Sequence, residues 1–262
     1  TKFNMKLVIL AGGKGTRISE ETMFKPKPLV LVGGKPIIWH IMKHYSQFGI
    51  KEFIICLGYK GNLIKEYFSN YHLLNSDIEI DTFKGNYKIL KKSQDNWKIK
   101  LIDTGENTFT GGRIKKILKY VKNDEYFALT YGDGVSNIDI KKQIKFHKSH
   151  KKIATMSLVR PPGRFGAVKM KGSLINKFIE KPQGDGSWIN GGFFILSPKI
   201  KKYIIGTNPV WEKKPLENLS KDKQIAGYFH NDFWYAMDTL RDQIHLDDLW
   251  YNSKAPWKTW ND

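Results

Sequence analysis

Apolar and polar residues along the chain form segments that predict strands and helices in alternation. A continuous apolar run at 6–10 predicts a buried strand, and apolar residues at helical spacing predict a helix over 36–48. Residues 51–57 then predict a second strand and 62–68 a second helix. Strands alternating with helices at this spacing are typical of a parallel sheet with crossover helices. We therefore expect a doubly wound α/β fold with a mostly parallel, Rossmann-like sheet, whose ligands bind beyond the carboxyl ends of the strands.

The pattern changes between residues 78 and 103. Short alternating runs separated by Gly85-Asn86 predict β-strands, which we expect to form a small excursion from the main sheet. No linker, repeat or low-complexity tract divides the chain. We therefore expect one domain over 1–262, with a small α/β appendage from about 200 to 262.

The first predicted strand runs directly into a loop with three glycines in four positions. Glycines leave no Cβ in the way, so main-chain N–H groups can converge on an anion, as in a phosphate cradle. The alternative is a tight strand-to-loop turn with a solvated basic end. About ten residues later, Lys25 and Lys27 alternate with prolines that keep this stretch extended and present an ammonium rigidly.

A second loop rich in glycine and hydroxyl residues, 104–113, precedes a helix predicted over 114–120. A loop that opens a helix exposes unpaired N–H donors, which suit a base edge or a phosphate.

Two aspartates are candidates for metal binding. Asp133 lies between two glycines after the predicted strand 126–131, and Asp238 comes just before a helix predicted over 240–251. Carboxylate oxygens suit Mg²⁺, which usually keeps waters and substrate phosphates as further ligands. The alternatives are a β-turn for Asp133 and a helix N-cap for Asp238. Both aspartates beside a phosphate loop would together bind a divalent ion.

The C-terminal half has two further candidates. Asn190 opens the strand predicted over 189–196 and is suited to hydrogen bonds with sugar hydroxyls. Lys181 follows the strand predicted over 174–179 and is suited to a sugar phosphate, although a surface lysine is usually only solvated.

Composition narrows the classes of function. No apolar run approaches the ~20 residues of a membrane helix, and no signal-peptide core is present, so we expect no membrane partner. The single cysteine, Cys56, fits a reducing cytoplasm and a buried position. The net charge of +19 raises the alternative of a nucleic-acid binder, but lysines supply 39 of the 44 basic residues and are scattered. We therefore expect no nucleic-acid partner.

The motifs, in their order and spacing, resemble those of the sugar-nucleotide pyrophosphorylases. They are LAGGKGTR at 10–17, KPKPL at 25–29, TYGDG at 130–134, PPGRFGA at 161–167, EKP at 180–182, INGGFF at 189–194 and MDTLRD at 237–242. The match runs from about residue 5 to 260. The predicted hairpin excursion, followed by DTGENTFTGGR at 103–113, resembles the cytidylyl branch of this family more than the thymidylyl and uridylyl branches.

The resemblance implies a nucleotidyltransferase reaction. The phosphate oxygen of glucose 1-phosphate attacks the α-phosphorus of CTP and gives CDP-glucose and pyrophosphate, with Mg²⁺ bridging the nucleotide phosphates. Such transfer needs in-line positioning and charge neutralisation more than a protein nucleophile. In this family CDP-glucose normally leads to dideoxyhexoses of surface polysaccharides.

The resemblance also implies roles for individual residues. Asp133 and Asp238 match the metal-binding aspartates, Arg17 faces the departing pyrophosphate and Lys27 faces the transferred phosphate; Arg17, Lys27 and Asp133 are the catalytic candidates. The nucleotide-binding positions are Leu10, Ala11, Gly12, Gly13, Lys14, Gly15, Thr16, Arg17, Lys27, Thr108, Arg113 and Gly132. The sugar-phosphate side is matched by Glu180, Lys181, Asn190 and Gly191.

Lys14 departs from the family pattern, which commonly has an apolar residue there. Its charge either tightens triphosphate binding or points outward, and we expect a modest effect. Family members usually assemble, so a homo-oligomer is expected. The alternatives are the same chemistry with another nucleotide or sugar 1-phosphate, and a non-catalytic sugar-nucleotide-binding module.

Overall fold

The computed structural model describes residues 5–15, 18–91, 95–161, 167–171, 173–179 and 187–261. Its strands are β1 Lys6–Leu10, β2 Leu31–Val32, β3 Lys35–Pro36, β4 Glu52–Leu57, β5 Asp77–Asp81, β6 Asn86–Lys91, β7 Lys98–Asp103, β8 Phe127–Tyr131, β9 Gly134–Ser136, β10 Ala154–Val159, β11 Ala167–Lys171, β12 Leu174–Ile179, β13 Ile189–Leu196, β14 Ile225–Phe229 and β15 Trp234–Ala236. Its helices are α1 Ser19–Thr22, α2 Ile37–Gln47, α3 Gly61–Ser69, α4 Tyr71–Leu74, α5 Thr110–Val121, α6 Ile140–His150, α7 Lys214–Lys221 and α8 Leu240–Tyr251, with 3₁₀ turns at Lys27–Leu29 and Pro198–Tyr203.

Seven strands form the central sheet, in the order β14-β10-β13-β8-β1-β4-β7. β13 is antiparallel to both of its neighbours, and the other strands run parallel to one another. The predicted mixed α/β fold with a mostly parallel sheet is confirmed. After β1 the chain adds β4 and β7 on one side and then returns to add β8 on the other, so the order reverses between β1 and β8.

Alternation along β1 divides the core into two layers. Leu7 and Ile9 pack into the cluster that contains α2 and the C-terminal Trp257, whereas Val8 and Leu10 pack into the cluster that contains α5 and Trp211. A strand with apolar residues on both faces is buried on both sides, which explains the continuous apolar run. Cys56 is buried in the second layer, and burial raises its pKa to about 12, so the expected core position is confirmed.

The segment at 78–103 divides differently from the prediction. β5 and β6 form a separate two-stranded sheet, as expected of an excursion. β7, however, pairs in parallel with β4 and forms one edge of the central sheet. The excursion therefore ends before β7, because the side chains of Ile99 and Leu101 pack against the main core.

The residues after about 200 are continuous with the main fold. β14 pairs with β10 at the other edge of the central sheet, and Trp211 and Trp257 are fully buried.

Among the described residues, no helix is both long and apolar enough to cross a bilayer.

The buried histidines of α2 make stability depend on pH. Burial lowers the pKa of His44 from 6.5 to about 4. Between pH 6.5 and pH 4 the unfolded chain therefore binds a proton at His44 that the folded chain does not bind. The stabilising effect of a neutral His44 is fully present above pH 6.5 and is lost as pH falls from 6.5 towards 4.

We predict that His44→Gln will flatten the fall in the free energy of unfolding between pH 6.5 and pH 4 by about 1.4 kcal/mol per pH unit, the contribution of one proton. Urea unfolding across this range measures the slope. The matched control is His72→Gln, since His72 is exposed. Equal slopes for the wild type and His44→Gln would contradict the prediction.

Candidate active site

A cleft of about 610 Å³ opens at the carboxyl edge of the sheet, where the strand order reverses between β1 and β8. This is the usual ligand site of open α/β sheets. It brings together eleven of the sequence-predicted residues: Leu10, Ala11, Gly12, Gly13, Lys27, Thr108, Arg113, Gly132, Asp133, Asn190 and Asp238. The predicted residues Thr16, Arg17, Glu180 and Lys181 lie outside the described residues.

The glycine loop after β1 is held by backbone hydrogen bonds to both neighbouring strands. Ala11 N donates to the carbonyl of Cys56 over 3.0 Å, and Gly132 N donates to the carbonyl of Leu10 over 3.1 Å. A side chain at Gly132 would be crowded, because a Cβ there would lie 3.1 Å from Pro28 and 3.2 Å from the Leu10 carbonyl oxygen. The close packing of these two strand ends forms the floor of the cleft.

The guanidinium of Arg113 connects the glycine loop to two neighbouring segments at one wall of the cleft. Its side chain is 4% exposed and donates to carbonyl oxygens and one hydroxyl at 2.7–3.1 Å. These acceptors are Leu57 O, Thr104 Oγ1, Gly105 O, Gly12 O and Glu106 O. The resemblance implied that Arg113 binds the nucleotide. In the structure Arg113 lies at the cleft wall, where its hydrogen bonds join the glycine loop, the end of β4 and the 104–106 loop.

Two glycines make space for Arg113. A Cβ on Gly12 would lie 2.1 Å from its Nη1, and a Cβ on Gly58 would lie 2.5 Å from the same atom. Real Cβ atoms do not approach other heavy atoms so closely. Glycine at position 12 therefore leaves space for the buried Arg113 side chain. This is a second reason for glycine there, beside the close approach of an anion that the sequence suggested.

Helix α5 begins at Thr110, four residues earlier than the predicted start. Gly111 and Gly112 lie in its first turn, where a Cβ would meet Pro209 O at 2.7 Å and Asn208 Oδ1 at 2.5 Å. The glycines indicated a loop, but here they allow another loop to approach the helix closely. Thr108, just before the helix, lines the cleft.

Lys14 and Gly15 lie further along the loop. The Lys14 ammonium is half-exposed and lies 3.6 Å from Glu106 Oε1. Surface pairs of this kind contribute about 1 kcal/mol or less to stability. The modest effect expected of Lys14 on nucleotide binding stays a prediction. Gly15 has a positive φ of 62°, which glycine adopts without strain.

A short two-stranded ladder brings the two candidate metal-binding aspartates together. β9 and β15 are antiparallel and pair Gly134 with Ala236. The next residues along each strand, Asp133 and Met237, are then opposite each other, and Met237 N donates to Asp133 O over 2.9 Å. Asp238 follows directly.

Lys27 lies between these carboxylates. Its Nζ donates to Asp133 Oδ2 over 2.6 Å and to Asp238 Oδ1 over 2.8 Å. Burial lowers the pKa of Lys27, but the charge of Asp133 and hydrogen bonds to both carboxylates outweigh burial and raise it above its ordinary value. The lysine is therefore a cation at neutral pH, and it joins two groups that the sequence had assigned to a metal.

Asp238 is not the N-cap of helix α8. Thr239 is the N-cap, and Asp242 completes a capping box with it. Oδ2 of Asp242 also accepts from the backbone N–H of Asp238 over 3.0 Å. Burial opposes ionisation of Asp242, but these hydrogen bonds outweigh it and lower its pKa. The Asp238 carboxylate is not part of the capping box and lines the cleft, where it accepts from Lys27.

Glu212 is a functional candidate that sequence analysis missed. Its carboxylate lines the cleft and accepts from Tyr131 Oη and Thr110 Oγ1, both over 2.6 Å. Burial, followed by the charge of Glu212, raises the pKa of Tyr131, so its hydroxyl remains protonated. No motif marks Glu212, because its partners come from β8 and α5, far away in the sequence.

Asn190 is the described residue of the predicted sugar side that lines the cleft. Its Nδ2 lies 3.4 Å from Tyr131 Oη, so it adjoins the Glu212 cluster. Gly191, predicted beside it, directs its carbonyl to Trp234 Nε1, which donates over 2.7 Å. Gly191 thus has a structural contact, while Asn190 faces the cleft.

We predict that Gly12→Ala will lower the free energy of unfolding by about 2 kcal/mol or more, because the new methyl overlaps the Arg113 guanidinium. Urea or thermal unfolding measures this. Gly13→Ala is the matched control in the same loop, since no protein atom lies within 4 Å of a Cβ there, and its stability should stay within about 0.5 kcal/mol of the wild type. Equal losses in the two variants would contradict the assignment of Gly12 to Arg113.

The chain is similar in sequence, over nearly its whole length, to curated proteins. Over 256 residues the chain is 52% identical to glucose-1-phosphate cytidylyltransferase of Salmonella typhimurium, covering 98% of this chain and all of the relative. It is 43% identical over 257 residues to a probable glucose-1-phosphate cytidylyltransferase of Bacillus subtilis, again covering 98% of this chain and the whole of the relative.

The fold is likewise similar to solved structures. The crystal structure of HddC from Yersinia pseudotuberculosis, complexed with GMP-PN, superposes with a TM-score of 0.66 at 26% identity, over 94% of this chain and 99% of that one. The sequence pattern described as nucleotidyl transferase matches residues 6–239, which include β1, the glycine loop and both aspartates. With this match over most of its length, the chain belongs to the nucleotidyl transferase family.

Proposed function

We propose that this chain transfers a cytidylyl group from CTP to α-D-glucose 1-phosphate, giving CDP-glucose and pyrophosphate. The observation that carries the proposal is the 52% identity to the Salmonella enzyme over essentially the whole of both chains. The cleft supports it, because a glycine loop, a buried cation and two carboxylates are next to each other at the reversal point of the sheet.

The reaction needs positioning and charge neutralisation. An oxygen of the sugar phosphate forms a bond to the α-phosphorus of CTP while the bond from that phosphorus to the β-phosphate bridging oxygen breaks. The attacking phosphate is already ionised, so no general base is required. Lys27 supplies a cation beside the transferred phosphate, and the backbone of residues 10–13 receives the nucleotide.

Members of this family generally use a divalent metal ion, and we propose Mg²⁺ held by Asp133 and Asp238. Two carboxylates that share one ammonium at 2.6 and 2.8 Å are close enough to share a metal ion. Mg²⁺ is commonly bound by one or two carboxylates together with substrate phosphates. When bound, it would neutralise negative charge on those phosphates.

We predict a clear preference for CTP when pyrophosphate release is measured with Mg²⁺ and glucose 1-phosphate across CTP, UTP, dTTP, ATP and GTP. Asp133→Ala should lower the rate about 100-fold or more through loss of charge stabilisation. Asp248→Ala, on the exposed side of α8, is the matched control and should keep wild-type activity.

Release with another nucleotide would keep the chemistry and change the substrate. GTP is a pertinent member of the panel, because the similar Yersinia structure holds GMP-PN. A folded protein that binds nucleotide and releases no pyrophosphate with any sugar 1-phosphate would instead be a binding module.

Glu212 is proposed to accept hydrogen bonds from the hydroxyls of the sugar. It is fixed by Tyr131 and Thr110, and Tyr131 also accepts from Asn190 Nδ2. We predict that Glu212→Gln will raise KM for glucose 1-phosphate about tenfold and change KM for CTP less than threefold, because hydrogen bonds to a charged acceptor contribute about 1.5–3 kcal/mol.

Steady-state kinetics with each substrate varied in turn measures this split. The control is Glu217→Gln, because Glu217 is on α7 and pairs with Lys214 at the surface. A rise in KM for CTP alone would place Glu212 on the nucleotide side.

We also propose that the protein is a homo-oligomer in which a second copy covers the β5–β6 hairpin. Pairing of Ile78 with Ile89 and of Ile80 with Tyr87 puts these four side chains on one face. Phe83 at the hairpin tip is 97% exposed. An isolated hairpin is marginally stable in water, and exposed apolar patches mark interaction surfaces.

The cytoplasmic location and the lack of a nucleic-acid partner remain predictions.

We predict that the double variant Ile80→Ser, Tyr87→Ser will shift the wild-type oligomer towards a smaller species, because it removes apolar area from the proposed contact. Size-exclusion chromatography with light scattering measures the mass. The control is Ile205→Ser, which changes another exposed isoleucine outside the hairpin. A monomeric wild type would contradict the proposal.

A further inference from the structure

The position of Lys27 has a bearing on how the metal site fills. The residue is 9% exposed, and its ammonium contacts one oxygen of Asp133 and one of Asp238. Its backbone lies in a 3₁₀ turn closed by hydrogen bonds from Leu29 N to Pro26 O and from Val30 N to Lys27 O. The side chain, with four methylenes, is the adjustable part of this contact.

A lysine ammonium and a divalent ion compete for such a position. Carboxylates bind Mg²⁺ at 2.0–2.1 Å, slightly closer than the contacts to Nζ, so a metal ion between the two aspartates would occupy nearly the same place as the ammonium. The two cations would repel each other strongly at such short range. Filling of the site by metal therefore requires Nζ to leave the carboxylates.

The described residues offer the metal few other protein ligands. Among them, no group of three or more histidine, cysteine, aspartate or glutamate side chains is arranged to hold a metal ion. A metal at Asp133 and Asp238 would draw its remaining ligands from water and substrate phosphates. Those phosphates are also the acceptors available to the ammonium, because Lys27 lines the same cleft.

We propose that Lys27 is a resident counter-ion of the metal site: in the nucleotide-free protein its ammonium holds Asp133 and Asp238 together and competes with the divalent ion. A nucleoside triphosphate that arrives with its metal offers phosphate oxygens to the ammonium, which transfers to them and releases both carboxylates to the metal. Metal binding and nucleotide binding are coupled through this one side chain. The inference rests on the proposed function, in that it takes the two aspartates as the metal ligands.

The test is a titration of the nucleotide-free protein with Mn²⁺, followed by electron paramagnetic resonance of the free ion. Lys27→Met removes the ammonium and keeps an unbranched side chain, and we expect it to bind Mn²⁺ at least about tenfold more tightly than the wild type. Lys25→Met is the matched control, since Lys25 pairs with Glu21 on α1, and it should bind Mn²⁺ as the wild type does. Equal or weaker Mn²⁺ binding by Lys27→Met would overturn the proposal.

A second measurement adds a nucleotide, and its first arm uses the wild type, so this arm does not depend on how any variant folds. Addition of a non-hydrolysable CTP analogue should tighten Mn²⁺ binding at least about tenfold, and Mn²⁺ bound equally tightly with and without the analogue would also overturn the proposal. In Lys27→Met the nucleotide analogue should tighten Mn²⁺ binding by a smaller factor than in the wild type, because this variant has no ammonium to displace. A nucleotide that only bridged the metal ion would tighten Mn²⁺ binding equally in both proteins. No turnover is involved, so a failed pyrophosphate assay and a failed Mn²⁺ titration are distinguishable.

Discussion

The wall of the cleft formed by the glycine loop and the 104–106 loop depends on one buried guanidinium. Arg113 donates hydrogen bonds to Gly12, Leu57 and the 104–106 loop, and so joins the ends of β1 and β4 to the segment after β7. A buried charge costs free energy unless its donors are paired, and here five acceptors provide the pairing. Its absence would remove the one donor that Gly12 O, Leu57 O and Gly105 O share. Each of these oxygens keeps a backbone N–H donor, but the loops that they belong to would lose their common contact.

The opposite wall of the cleft depends on strand pairing. The β9–β15 ladder fixes Asp133 beside the segment that contains Asp238, although more than one hundred residues separate them. Lys27 completes this wall from a third part of the chain. The chemistry that we propose is thus assembled from three segments that are distant in the sequence, two of which are fixed to each other by the β9–β15 ladder.

Much of this arrangement could be predicted from the sequence, because local pattern determines it. The apolar run of β1, the helix α8 and the glycine loop follow from periodicity and from the conformational freedom of glycine. The start of α5 was misplaced, since its glycines serve close packing against Pro209 and not a loop. β7 was assigned to the excursion, since a short alternating strand looks the same at the edge of a large sheet and in a hairpin.

The polar contacts of the site are the part that sequence reasoning missed. The pairing of Lys27 with both aspartates and the bonding of Glu212 to Tyr131 join residues from distant segments. No local spacing indicates such contacts, and the roles of individual side chains were assigned from resemblance. Arg113 illustrates the difference: its assignment to the nucleotide stays a prediction, and its hydrogen bonds to Gly12, Leu57 and the 104–106 loop are visible only in the structure.

The reversed direction of β13 has a consequence for how the cleft can change in evolution. Because this strand runs against its neighbours, Asn190 reaches the cleft at the beginning of a strand, while Gly132 and Asp133 reach it after the end of one. An insertion before Ile189 leaves the pairing of β13 with β8 unchanged, whereas one residue inserted within Phe193–Leu196 would shift that pairing by one position. The chain can therefore lengthen in front of the strand that carries Asn190 while the paired part of that strand stays fixed in register.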